Sequence, residues 1–111
     1  MNSRRAALAL FAAASLLAAA TARAESAAQV FARSCSPCHG KDGHPSPVFE
    51  QQGVKNFTDP AWQKGITDAQ IEKTIHEGKK GTMMASFDKQ LSPQEIKALV
   101  AYLRKLGSPK K

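Results

Sequence analysis

The stretch Cys35-Ser36-Pro37-Cys38-His39 constrains this chain more than any other part of its sequence. It has the C-x-x-C-H pattern, which is typical of covalent attachment of a c-type haem. In a helical turn these two cysteines and the histidine stand at i, i+3 and i+4, so their side chains share one face. The cysteines would then form thioethers with the haem vinyl groups, and His39 would be the proximal iron ligand. The chain is therefore expected to fold around one porphyrin.

The same pattern has three other uses in proteins. A thioredoxin-like redox pair needs a βαβ neighbourhood, and no alternating apolar run predicts strands here. A structural zinc site needs four ligands, usually as two separated pairs, whereas this chain has only two cysteines and three histidines, and His39 directly follows Cys38. A disulfide between Cys35 and Cys38 would leave His39 without a role. The sequence favours haem attachment over all three.

Residues 1–24 have the pattern of a secretory signal peptide. Arg4 and Arg5 form a basic start, a 15-residue, nearly unbroken apolar run follows, and Ala22-Arg23-Ala24 resembles a small-residue cleavage site. The run is short for a membrane span, which needs about 20 apolar residues, so an uncleaved anchor is the weaker alternative. We expect cleavage after residue 24, export through the general secretory route and no stable membrane insertion afterwards.

The remaining 87 residues are enough for one small domain, which we place at residues 25–106, followed by a frayed tail at 107–111. Without the three arginines of residues 1–24, the chain has 13 basic and 9 acidic residues, a net charge of +4. This charge is too mild to predict nucleic-acid binding, but it suits transient docking to an acidic protein surface. Only 30 of the 87 residues are hydrophobic, so the small domain needs an added core element, which the haem would supply.

Helix signals recur along residues 25–106, and strand signals are lacking. Four helices are predicted, and they begin near Glu25, Asp59, Thr67 and Ser92. The last two start with capping boxes, in which Gln70 and Glu95 stand three residues after the cap. The segment 40–56, rich in glycine and proline, is predicted to be a loop that wraps the haem edge. The expected fold class is all-α, with three to four short helices around one haem.

A haem iron bound by one histidine has a vacant sixth position, and two adjacent methionines can fill it. Met83 and Met84 lie in a predicted loop between the last two helices. Methionine ligation raises the reduction potential and suits electron transfer, whereas an open position favours the binding or activation of small molecules. His44 and His76 are predicted to be exposed, and no neighbouring motif supports either as the ligand.

These features, in this order, resemble a class I c-type cytochrome, in particular the small bacterial periplasmic members. The resemblance covers essentially all of residues 25–106 and consists of C-x-x-C-H-G, a Gly/Pro loop, Met-x-x-Phe and a capped C-terminal helix. It implies the cytochrome c fold, one covalent haem c, and N- and C-terminal helices that cross near Phe31 and Tyr102. It also implies that the carbonyl of Pro47, or alternatively of Pro45, accepts a hydrogen bond from His39.

The resemblance further implies that His39 and Met84 are the two axial iron ligands. Met84-Ala85-Ser86-Phe87 matches the Met-Pro-x-Phe pattern common in the family, with alanine where proline is usual. This departure leaves Met83 as the alternative ligand.

The expected function is that of a monomeric periplasmic one-electron carrier, which is not an enzyme and which exchanges electrons with redox partner proteins. Lys79 and Lys80, beside the methionine loop, are candidate charges for docking acidic surfaces on these partners; the alternative is an exposed pair that is simply solvated. One alternative is a haem enzyme or gas-binding protein with an open or labile sixth position. Another is a dedicated electron-transfer subunit of a dehydrogenase or oxidase.

Overall fold

The computed structural model describes residues 25–108, and every regular element in this range is helical. The elements are α1 (Ala27–Val30), a π-helical turn (Phe31–Cys35), α2 (Ser36–His39), α3 (Pro47–Gln51), α4 (Pro60–Gly65), α5 (Asp68–Glu77) and α6 (Pro93–Leu106). None of these helices is long and apolar enough to cross a membrane. The all-α prediction is confirmed, whereas the predicted signal peptide and residues 109–111 of the predicted tail lie outside the described residues.

The first three segments follow one another without a break and carry the cysteine motif at their end. Ser26 begins α1 with a capping box, because its hydroxyl accepts from the Gln29 N–H and the Gln29 side chain accepts from the Ser26 N–H. The helix then widens into the π-turn, where the Ser36 hydroxyl donates to the Ala32 carbonyl at 2.6 Å. A π-turn holds more residues than an α-turn, so Cys35 and α2 present a different face than an unbroken α-helix would.

The middle of the chain differs from the sequence prediction in one place. Residues 40–56 were predicted as a loop, but they contain the short helix α3. Its start combines Ser46 with Pro47 at the first helical position, a local signal that the surrounding glycines and prolines obscured. The starts of α4, α5 and α6 lie at the predicted caps, Asp59, Thr67 and Ser92.

The core lies between the N-terminal segments, α5 and α6. Its ten buried hydrophobic residues are Val30, Phe31, Phe57, Ile71, Ile75, Leu91, Ile96, Leu99, Val100 and Leu103. Four of them form one face of α6, as the apolar spacing of that helix predicts. The rings of Phe31 and Tyr102 lie 5.1 Å apart, so the N- and C-terminal helices pack together at the residues that the resemblance implied.

Ser92 and Ser46 each precede a proline at the start of a helix, so the contribution of their side chains to helix capping can be compared. The Ser92 hydroxyl accepts from the Glu95 N–H at 3.1 Å, whereas the Ser46 side chain makes no capping bond to α3. We expect Ser92→Ala to lower the free energy of unfolding by about 1 kcal/mol and Ser46→Ala to change it much less. Denaturant unfolding of the two haem-loaded variants measures this, and equal losses would contradict the difference between the caps.

Candidate haem site

The His39 ring, at the end of α2, is held from two sides. Its Nδ1 lies 2.9 Å from the Lys55 carbonyl oxygen, and the Phe57 ring stacks on it at a centroid distance of 4.2 Å and an angle of 18°. A carbonyl only accepts, so Nδ1 carries the proton and Nε2 keeps its lone pair. Burial lowers the pKa of His39 from its ordinary value, and the Lys55 bond opposes this less strongly. The ring is therefore neutral with Nε2 available, the form that binds haem iron.

The hydrogen-bond partner of His39 differs from the expected one. The prediction of the Pro47 carbonyl, or of Pro45, is wrong, because Lys55 accepts this bond. Pro47 is the first residue of α3, where carbonyls point along the helix axis toward the following turn. The chain returns to the histidine only after α3 ends, at Lys55.

Cys35 and Cys38 are free and half-buried. Cys35 packs against the core, and burial raises the pKa of its thiol to about 11, with only partial opposition from Arg33. The same burial does not penalise a thioether, because a thioether carries no charge. In residues 25–108 there is neither a strand nor a group of three or more His, Cys, Asp or Glu side chains that could hold a metal ion. The thioredoxin and zinc alternatives therefore lack the features that they require.

The two neighbouring methionines lie in different environments. Met84 is half-buried and packs against the hydrophobic core, the same cluster that Cys35 contacts and that includes Phe57. Met83 is 65% exposed. Met84 is therefore the methionine on the core side of the loop.

Hydrogen bonds hold the Met84 loop against the end of α5. The Lys79 N–H donates to the Met84 carbonyl at 3.0 Å, and the Phe87 N–H donates to the Ile75 carbonyl at 2.9 Å. Gly78 allows this approach: its φ is +72°, and a Cβ at this position would lie 2.8 Å from the Met84 carbonyl oxygen. A side chain at residue 78 would therefore push the methionine loop away from α5.

A cleft of about 540 Å³ lies beside α4 and α5. Its lining includes Lys55, Trp62, Ile66, Gln70, Lys73 and Thr74 and no carboxylate. Trp62 packs on Phe57 at a centroid distance of 4.9 Å, so the cleft adjoins the ring that stacks on His39. The side chains of Trp62 and Ile66 suit the apolar body of a ligand, and the two lysines suit carboxylate substituents. The groups that would bind a haem directly, the neutral imidazole of His39 and the thiols of Cys35 and Cys38, do not line this cleft themselves, and they are of the types that fit a haem c.

Two contributors to the site were absent from the sequence prediction. The acceptor on Lys55 is a backbone carbonyl, and a backbone acceptor has no side-chain signature in a sequence. Phe57 has no motif in the sequence that marks it, and its stacking on His39 depends on how the chain returns after α3. The remaining histidines match the prediction in part: His44 is exposed and pairs with Glu50 at 3.1 Å, while His76 is half-buried.

Comparisons with known proteins identify a matching family and several relatives. A family described as cytochrome c oxidase, cbb3-type, subunit III matches residues 22–103. The cbb3-type cytochrome c oxidase subunit FixP of Azorhizobium caulinodans is 40% identical over 87 residues, which are 78% of this chain and 28% of that protein. Subunit CcoP of Rhodobacter capsulatus is 31% identical over 91 residues, 77% of this chain and 30% of that protein. This chain thus spans less than a third of the length of these relatives.

A solved structure shows the same relationship. The c-type cytochrome KustC0563 superposes with a TM-score of 0.68 and 34% sequence identity, covering 76% of this chain and 100% of the other. Haem c is therefore the expected cofactor, as the C-x-x-C-H motif predicts. The chain belongs to the cbb3-type subunit III family of c-type cytochromes.

Proposed function

We propose that this chain is a periplasmic one-electron carrier with a single haem c, bound through Cys35 and Cys38 and ligated by His39 and Met84. The observation that carries the proposal is the His39 ring, which is neutral, fixed by Lys55 and Phe57, and leaves Nε2 available beside two free cysteines. The bound haem supplies a one-electron iron couple. Electron exchange needs no substrate site, so we infer that the chain is not itself an enzyme.

The residues around the haem would keep its ligands in one geometry in both oxidation states. The Lys55 carbonyl holds the His39 ring and increases the electron donation of its Nε2. The hydrogen bonds of the methionine loop restrain Met84 against α5. The apolar core beside Cys35 and Met84 lowers the local polarity and, together with methionine ligation, favours a high reduction potential.

The absorption spectrum of the exported protein tests this ligand set. We expect a low-spin c-type spectrum with the far-red methionine–iron charge-transfer band, unchanged by carbon monoxide. Met84→Ala should abolish this band because it removes the core-side sulfur, whereas Met83→Ala should keep it because Met83 is exposed. A high-spin wild-type spectrum that shifts with carbon monoxide would instead favour the enzyme or gas-binding alternative. Loss of the band in Met83→Ala alone would assign the ligand to Met83.

The second candidate function is electron transfer as a dedicated subunit of a terminal oxidase, and the names of the relatives favour it. FixP and CcoP are each described as a subunit of a cbb3-type cytochrome c oxidase, and we infer for this chain either free exchange with such a complex or a place in it. In both cases we propose that acidic partner surfaces dock at Lys79 and Lys80. Both lysines are exposed, border a groove of about 590 Å³ beside Met84, and form no ion pair within residues 25–108.

Purification of the native protein at low and high salt separates the two candidates. A free carrier docked by charge should elute as a monomer of about 87 residues at high salt, because screening weakens encounters between exposed charges. Co-elution with an oxidase that persists at high salt would contradict the free carrier and favour the subunit.

A further inference from the structure

The side chain of Arg104, in the last turn of α6, donates four hydrogen bonds. Its side chain is only 28% exposed. Nε donates to Asp68 Oδ1 at 2.7 Å, and Nη2 donates to the Ile66 carbonyl at 2.7 Å. Nη1 donates to the Gln63 carbonyl at 2.7 Å and to the Gln63 side-chain oxygen at 3.0 Å. One guanidinium thus binds the end of α4, the residue after it and the start of α5.

The helix that Arg104 holds cannot be stable by itself. α4 has six residues, which is far below the length at which an isolated helix is stable in water. Its last carbonyls have no partner within the helix, and the Gln63 and Ile66 carbonyls obtain theirs from Arg104. A positive charge also interacts favourably with the negative end of the helix dipole. The planar guanidinium can reach all of these acceptors at once, which a lysine ammonium cannot.

Gln63 extends this network toward the histidine. Its Nε2 donates to the Phe57 carbonyl at 2.7 Å and to the Leu103 carbonyl at 2.9 Å, and the Phe57 ring stacks on His39. Gly107 leaves room for this amide, because a Cβ at residue 107 would lie 2.4 Å from the Gln63 side chain. A continuous set of contacts therefore runs from Arg104 through Gln63 and Phe57 to His39.

We propose that Arg104, acting through Gln63, is a positioning residue of the haem site. It holds α4, with Trp62 at the wall of the cleft, and it keeps Phe57 against His39. The inference rests on the proposed function and takes the haem to lie beside this wall. Without the guanidinium, α4 would lose these bonds, its contact with Phe57 through the Gln63 amide and the Trp62 ring would loosen, and water would enter the cleft. Water stabilises the oxidised iron, which carries one more positive charge, so the reduction potential should fall.

The test is Arg104→Lys in the full, haem-loaded chain. The variant keeps the charge but loses the planar set of donors. We expect the haem to remain covalently attached and the midpoint potential to fall, with a several-fold shift of the redox equilibrium toward the oxidised form; a tenfold shift is 59 mV for one electron. The control is Arg33→Lys, because Arg33 also binds a carboxylate through two nitrogens, those to Glu25, but lies outside the α4 network. It should leave the potential unchanged.

A purely structural role for Arg104 would give a different result. Arg104→Lys would then lower the denaturation midpoint and leave the potential of the folded protein unchanged, which would overturn the proposal. Gln63→Met provides a second, uncharged variant that removes the amide between Arg104 and Phe57, and it decides the question if Arg104→Lys does not fold. Gln63→Met should also lower the potential, and an unchanged potential would overturn the proposal that Arg104 acts through Gln63.

The proposed function can fail separately from this inference. The midpoint potential is measurable whichever group fills the sixth position of the iron. A wild-type spectrum without the methionine–iron band would contradict the His39/Met84 ligand set only. A normal wild-type spectrum with a potential that Arg104→Lys does not move would contradict the role of Arg104 only.

Discussion

The hydrogen bond between the His39 ring and the Lys55 carbonyl is the interaction on which the rest of the site depends. It selects the tautomer with a proton on Nδ1, and only this tautomer leaves Nε2 free to bind iron. The bond also requires that the chain return to His39 sixteen residues after it leaves. The segment between them, which includes α3, and the position of Phe57 two residues later follow from this return. A backbone acceptor suits the task because it carries no charge and does not titrate.

The C-terminal helix supports this arrangement through its packing on the N-terminal segments. Ile96, Leu99, Val100 and Leu103 form its buried face, and that face receives Phe31 and Val30 from the segment that ends in the cysteine motif. The helix then ends with Arg104, whose bonds hold α4 beside Phe57. One long helix thus locates both the residues before the cysteines and the wall of the cleft. This explains how a domain with few hydrophobic residues can hold several helices of only four to six residues.

The sequence was informative where the signal is local. The capping boxes at Thr67 and Ser92, the proline start of α4 and the apolar face of α6 depend on residues within a few positions of each other, and the structure contains all four. The partner of His39 was mispredicted because it is set by the path of the chain through α3. Gln63 and Arg104 were not recognised, since their partners lie about forty residues away in sequence. The exposure of Met83 and the half-buried position of Met84 likewise depend on how the loop packs against α5.

The alanine in Met84-Ala85-Ser86-Phe87 changes what must hold the methionine loop in place. Proline at this position would fix φ and reduce the freedom of the unfolded loop, and alanine does neither. In this chain the restraint comes from bonds on both sides of Ala85. The Met84 carbonyl accepts from the Lys79 N–H, the Ser86 hydroxyl donates to the His76 carbonyl at 2.6 Å, and the Phe87 N–H donates to the Ile75 carbonyl. Because three of these groups belong to the last turns of α5 or directly follow it, the proposed ligand is positioned by that helix end. The stability of α5 and the space left by Gly78 therefore restrain the methionine loop, as the proline does in the Met-Pro-x-Phe pattern.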